Sequence, residues 1–185
     1  MNLQPLTAHE IPMVAEWFAD SSELQWLDFG NGSRTLDSLT LKIMTARDCH
    51  HIRLFRPETE PTPIGLVAFS QIEPKQGTAQ LWYLLGRSDL KGQGYTSAAV
   101  SELLRIGFTD LKLTMVHAWA VEQNLASIRV LEKTGFQYGG RRRQCHRVGE
   151  RAYDRLNFDL LSSEFLTAPT PGIEVFSDAL LTCTS

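Results

Sequence analysis

The stretch LKGQGYTSAAVSELL, Leu90 to Leu104, begins with two glycines one residue apart and then turns helical. Gly92 and Gly94 allow backbone to approach a ligand more closely than any β-carbon would. A strand, a tight glycine turn and a helix together make an anion site. The turn aims successive N–H groups at one place, and the helix start adds partial positive charge. Lys91 adds a full charge, and Arg87 is a second source of one. The chemistry this suits is the holding of a phosphate group. No GxxxxGK[ST] is present, which excludes a Walker phosphate loop. A dinucleotide fold fits poorly, because Ser97 stands at the third glycine position and the motif lies mid-chain. A glycine turn without ligand is the competing reading, and the surrounding elements decide between them.

Those elements follow from hydrophobic periodicity. Met13, Val14, Trp17 and Phe18 have helical spacing in residues 11–20, with Pro12 tolerated in a first turn. Residues 21–35 read as a loop with two aromatics. TLDSLTLKIMTAR reads as a second helix with Leu39, Ile43 and Met44 on one side. Three strands follow, at 51–57, 64–72 and 78–86. Short proline- or glycine-bearing turns join them, which implies an antiparallel meander. Val100, Leu103, Leu104 and Phe108 then mark a helix starting near Tyr95. Residues 111–121 form a fourth strand. NLASIRVLEKTGF is a short helix with Asn124 as its N-cap, Lys133 in its last turn and Gly135 at C′. RRRQCHRVGERAYDRLNFDLL closes as a hairpin turning at VGER, with Leu156, Phe158 and Leu160 alternating inward. The order α, α, β, β, β, α, β, α, β, β predicts a mixed α/β sheet around one strand–helix–strand unit.

Composition narrows the function classes. The chain has 185 residues, 43% hydrophobic, with a net charge of −3. That is one domain, and its charge is not that of a nucleic-acid binder. Cys49, Cys145 and Cys183 are odd in number and contain no CxxC, so neither a disulfide framework nor a metal site is expected. No secretory signal and no run of about 18 apolar residues is seen, so a cytoplasmic protein without membrane partners is the expectation. From Ser162 onward two prolines and a glycine interrupt modest hydrophobicity. The expected division is a domain over residues 1–163 and a tail over 164–185, in which Ile173, Val175 and Phe176 could dock. The arginines at 141, 142, 143 and 147 are either one solvated hairpin or, through Arg141 and Arg143, a face for an anionic partner.

Three segments in order, IGLVAFSQIEPKQGTAQLWYLLG, KGQGYTSAAVSELLRIGF and NLASIRVLEKTGF, resemble the GNAT family of acyl-CoA-dependent N-acetyltransferases. The N-x-x-S-x-x-V-L-E-K-x-G-F pattern and the G-x-G-Y turn are most similar to the branch of ribosomal-protein alanine N-acetyltransferases. The hairpin, with Gly149 and Asp154, resembles that branch's ending, and the likeness spans roughly residues 3 to 165. Two positions depart from the pattern. Asp89 stands where the family often has Arg or Gln. Leu131 stands where many members carry the tyrosine that protonates the departing thiolate.

The resemblance implies a GNAT fold, a central mixed and mostly antiparallel sheet flanked by helices, and acetyl transfer from acetyl-CoA to a primary amine by direct attack. The amine would be a protein N-terminus or a small molecule, and the enzyme a monomer or homodimer. A catalytically silent acyl-CoA-binding module is the alternative. The pyrophosphate would lie on the amides of Lys91, Gly92, Gln93, Gly94, Tyr95 and Thr96. The pantetheine arm would run along Leu81–Gly86, splayed from 114–121, with an N–H near Leu84 or Leu85 facing the thioester oxygen. Asn124 and Ser127 would also contact the cofactor, and Ser127 would return the proton to sulfur. Glu122, Asp28 and His117 are the candidate bases, with removal by a water chain as the other route. Trp26, Asp28, Tyr83 and His117 would line the acceptor pocket. Trp82 and Trp119 are read first as core.

Overall fold

A computed structural model describes residues 1–19, 22–30 and 32–167. Ile173, Val175, Phe176 and Cys183 lie outside them. The strands are β1 (Asn2–Pro5), β2 (His51–Arg56), β3 (Gly65–Glu73), β4 (Thr78–Leu85), β5 (Met115–Val121), β6 (Gln137–Val148) and β7 (Arg151–Leu161). The helices are α1 (Ile11–Trp17), α2 (Ser38–Thr45), α3 (Tyr95–Thr109), α4 (Leu125–Lys133) and α5 (Ser162–Thr167). The strands form one sheet in the order β1-β2-β3-β4-β5-β7-β6. Every neighbouring pair is antiparallel except β4 and β5. A parallel neighbour needs a crossover, and α3 supplies it.

β4 is apolar on both faces, as a strand covered on both sides must be. Leu81 points into a core with Val100, Leu103 and Leu104 of α3 and Leu131 of α4. Trp82 and Leu84 point the other way, into a core with Val14 and Phe18 near α1 and Leu41 of α2. Each fully buried leucine in these layers contributes about 2 kcal/mol of apolar transfer.

β4 and β5 pair only from Thr78–Met115 to Gln80–His117. Beyond that they diverge, as the splay expected over 81–86 requires. β5 pairs β7 along its whole length, from Met115–Leu161 to Val121–Arg155. Among the described residues the sheet therefore opens at the seam between β4 and β5.

Three features differ from the sequence reading. β1 was not expected: its four residues end in Pro5 and pair only with β2, and proline is tolerated on such an edge. In α2, Leu41 is the fully buried residue, while Leu39 and Ile43 are 65% and 44% exposed. The apolar spacing there has the right period but faces solvent. α5 straddles residue 163, and Phe165 packs its ring 5.3 Å from that of Phe108.

Candidate active site

The seam between β4 and β5 begins at the glycine turn. Gly92 and Gly94 have φ of 78° and 80°, a region that costs other residues about 1–2 kcal/mol. The space beside them is open. A β-carbon on Gly94 would meet only the Lys133 ammonium, at 3.6 Å, and one on Gly92 would meet nothing within 4 Å. Gly94 is the N-cap of α3 and has no side chain to cover the first-turn N–H groups, and that turn contains no acid. Open space, exposed amides and a nearby ammonium fit a phosphate group. Asp89 does not oppose this. Arg87 grips it through Nε and Nη2 at 2.8 and 2.7 Å and also reaches Glu60 at 3.6 Å. Arg87 is thus engaged with carboxylates and does not line the cleft.

One turn into α4, Ser127 meets Tyr83 of β4 across the seam. Their hydroxyls share a hydrogen bond of 2.7 Å, and the Tyr83 oxygen lies 3.2 Å from the Ser127 carbonyl. Burial pushes the phenol far above its ordinary range, and the bond to Ser127 offsets only part of that. Tyr83 therefore keeps its proton. Asn124 caps α4 by accepting from the Ser127 N–H at 3.1 Å. Leu131, at the position where the family often has tyrosine, is fully buried.

A continuous cleft of about 1080 Å³ runs through the seam. Lys91, Gly92, Gly94, Tyr95, Thr96, Asn124 and Ser127 line one end, and Leu84 and Leu85 the passage. Trp26, Asp28, His117, Trp119 and Arg155 line the other. Tyr83 also lines it, but packs against the core under α3 and α4, on the face opposite to Trp82. Gln93 and Glu122 are not on the cleft wall. The Glu122 carboxylate accepts from the Asp154 N–H at 3.1 Å and so ties β5 to β7.

The far end is held by Arg155. It forms an ion pair with Asp28, reaches His146 Nδ1 at 3.1 Å, and lies 4.0 Å over the Trp119 ring. Because that arginine donates to Nδ1, the His146 proton sits on Nε2 and is donated to the Gln25 carbonyl at 2.6 Å. Burial lowers the His146 pKa, in keeping with a neutral ring. Burial alone would raise Asp28, but Arg155 and the Gly30 N–H outweigh it, and the carboxyl titrates below its ordinary value. His117 has its pKa lowered by burial, and its ring makes no hydrogen bond among the described residues.

The acetyltransferase (GNAT) domain family matches residues 1–137, about three quarters of the chain. The chain belongs to that family. It is an acetyl-CoA-dependent acyltransferase by that membership. An uncharacterised N-acetyltransferase p20 of Bacillus licheniformis is 25% identical over 170 residues, covering 89% of this chain and 94% of that protein. The fold is shared with a spermidine N-acetyltransferase of Vibrio cholerae solved with CoA and spermine: TM-score 0.78, 16% identity, 89% of this chain and 97% of that one. It is also shared with a ribosomal-protein-S5-alanine acetyltransferase of Vibrio fischeri: TM-score 0.73, 17% identity, 88% of this chain and 93% of that one. Among the described residues no group of His, Cys, Asp and Glu side chains could hold a metal ion, and Cys49 and Cys145 are free thiols. No described helix is long and apolar enough to cross a membrane.

Arg155 and Arg142 at the far end were not singled out from sequence as site residues. Their signal was the basic hairpin itself, which carries no indication of which arginines face inward.

Proposed function

We propose that this protein acetylates a primary amine, with acetyl-CoA entering from the glycine turn and the amine from the side of Trp26 and Asp28. The observation that carries this reading is the single cleft that joins an anion cradle to a second, aromatic-lined mouth through the opened strands. In this reading the phosphates lie on the amides from Lys91 to Thr96. An N–H of Leu84 or Leu85 steadies the negative charge that builds on the thioester oxygen. The amine nitrogen attacks the carbonyl carbon, the C–N bond forms, the C–S bond breaks, and one proton must leave nitrogen while one reaches sulfur.

Ser127 supplies the proton to sulfur, and Tyr83 holds the serine hydroxyl in place from the opposite side of the seam. The tyrosine that many relatives carry on α4 is thus replaced by one on β4 that works through serine. For the base, His117 is the cleft residue best suited. It is uncharged at neutral pH and uncommitted, whereas Asp28 is occupied by Arg155 and Glu122 by the Asp154 amide. The V. cholerae protein is a spermidine N-acetyltransferase and the V. fischeri protein a ribosomal-protein-S5-alanine acetyltransferase, which supports an acceptor that is either a small amine or the N-terminus of a protein. Free-thiol release from acetyl-CoA across a panel of amines tests the reading. Amine-dependent thiol with matching acetylated product is expected, and thiol release indifferent to every amine would overturn it.

A further inference from the structure

We propose that the amine accepted here carries a carboxylate close to its reacting nitrogen, so that the acceptor is amino-acid-like and anionic rather than a polyamine. This rests on the amine-acetylation reading above. Arg142 of β6 and Arg155 of β7 are direct cross-strand partners, and both line the acceptor end of the cleft. Like charges directly opposite in a ladder are unfavourable unless an anion lies between or beside them. Only one carboxylate lines the cleft among the described residues, Asp28, and Arg155 together with the Gly30 N–H already engages it. Asp154, the next acid on β7, is taken by Arg141 at 3.2 Å and the Gln144 N–H at 2.8 Å. The Arg142 guanidinium makes no ion pair among the described residues.

Hydrogen bonding points the same way. Arg155 Nε and the Trp82 indole nitrogen are buried without a partner, and both side chains line the cleft. Trp82 is only 8% exposed. Both atoms are donors. A buried donor left unpaired is costly, and the group that satisfies it is an acceptor oxygen. A carboxylate supplies such oxygens, and it supplies the counter-charge that Arg142 lacks among the described residues, Arg155 having Asp28. A polyamine would add donors and positive charge to a wall already rich in both. Lys91, Arg129 and Lys133, the other cations on the cleft, stand at the phosphate end.

The test is a set of amino acids with small, aromatic and acidic side chains, each beside its carboxamide, with spermidine as a third arm. Thiol release is measured at saturating acetyl-CoA, and rates are referred to the unprotonated amine. The carboxylate form of the best acceptor should exceed its carboxamide by at least tenfold in kcat/KM, with spermidine below both. Arg142→Ala should bring the two forms within about twofold. A carboxamide or spermidine that matches the carboxylate, or a preference that survives Arg142→Ala, overturns the proposal. Calorimetric titration of the same compounds into the CoA-bound protein separates this from failure of the amine reading. If no amine releases thiol, the acetylation reading falls, while carboxylate binding that Arg142→Ala removes still supports an anionic ligand. Equal binding of carboxylate and carboxamide overturns it.

Discussion

The two ends of the cleft are built in different ways. The end proposed to hold the phosphates comes from short, contiguous pieces of chain. Residues 86–97 carry the turn and the helix start, and Asn124 to Lys133 carry the cap, the serine and the lysine beside Gly94. The acceptor end joins Asp28 in a loop to Arg155 on β7, separated by 127 positions, and His146 to Gln25, separated by 121. A locally encoded site can keep its geometry while the rest of the chain drifts. A site assembled from distant strands changes with each change of register or loop.

The largest expected effect breaks the phosphate end alone. Gly94→Val should abolish acetyl-CoA binding, because a β-branched residue resists φ near 80° and fills the space beside Lys133. The stabilisation of about 2.7 kcal/mol that ligand at 100 times its dissociation constant gives should vanish from thermal melts. Unchanged affinity in a folded variant would show that the turn is not the cradle.

Next comes the proton path between the ends. Ser127→Ala should lower kcat by about 10²–10⁴-fold with little change in acetyl-CoA affinity. Tyr83→Phe should reproduce a smaller part of that loss, and the double variant should be no worse than Ser127→Ala. Additive losses would mean that Tyr83 does not act through Ser127.

His117→Gln sharpens the assignment of the base. Burial lowers the His117 pKa below its ordinary 6.5, so the neutral, proton-accepting form persists to more acid pH and is lost only as pH falls through the lowered value. With rates referred to the unprotonated amine, the kcat/KM profile should stay flat to below pH 6.5 and then drop. The variant should lose that limb together with about 10²-fold in its plateau. A plateau and acid limb unaltered by the substitution would assign proton removal to water.

Asp28→Ala addresses the acceptor end. Arg155 would keep its charge in a setting where its side chain is 13% exposed, at a cost of about 2 kcal/mol or more in urea unfolding. Acetyl-CoA affinity should not change, because the pair lies at the opposite mouth. The smallest effect is that of Asn124→Ala, about 1 kcal/mol from loss of the cap bond to Ser127. If it also weakens cofactor binding severalfold, the asparagine touches the cofactor as well as the helix.

What could be read directly from the residues was everything local and periodic. The GxG turn with its helix, the N-x-x-S cap of α4, the hairpin turn at Gly149 and the β3–β4 meander each depend on neighbours within a few positions. Their backbone preferences are written in the residue types themselves. The same logic reached its limit at α2, where Leu39 and Ile43 have a core-like period but face water, because a period does not say which side the partner lies on. It missed β1, whose four residues make a strand only because β2 offers them an edge. It left Tyr83 among the acceptor-pocket residues, since alternation separates the two faces of β4 without saying that Ser127 would arrive opposite one of them. It could not choose among four arginines on the hairpin, because which of them face the cleft depends on a register shifted by irregularities between Tyr138 and Gly140 and between Arg142 and His146. The sequence by itself determined the fold and the family, together with the local glycine turn and helix start on which the proposed cofactor cradle rests. Only the tertiary structure decided which residues meet at the far end of the cleft, because that depends on long-range pairing and burial, which no short stretch of residues contains.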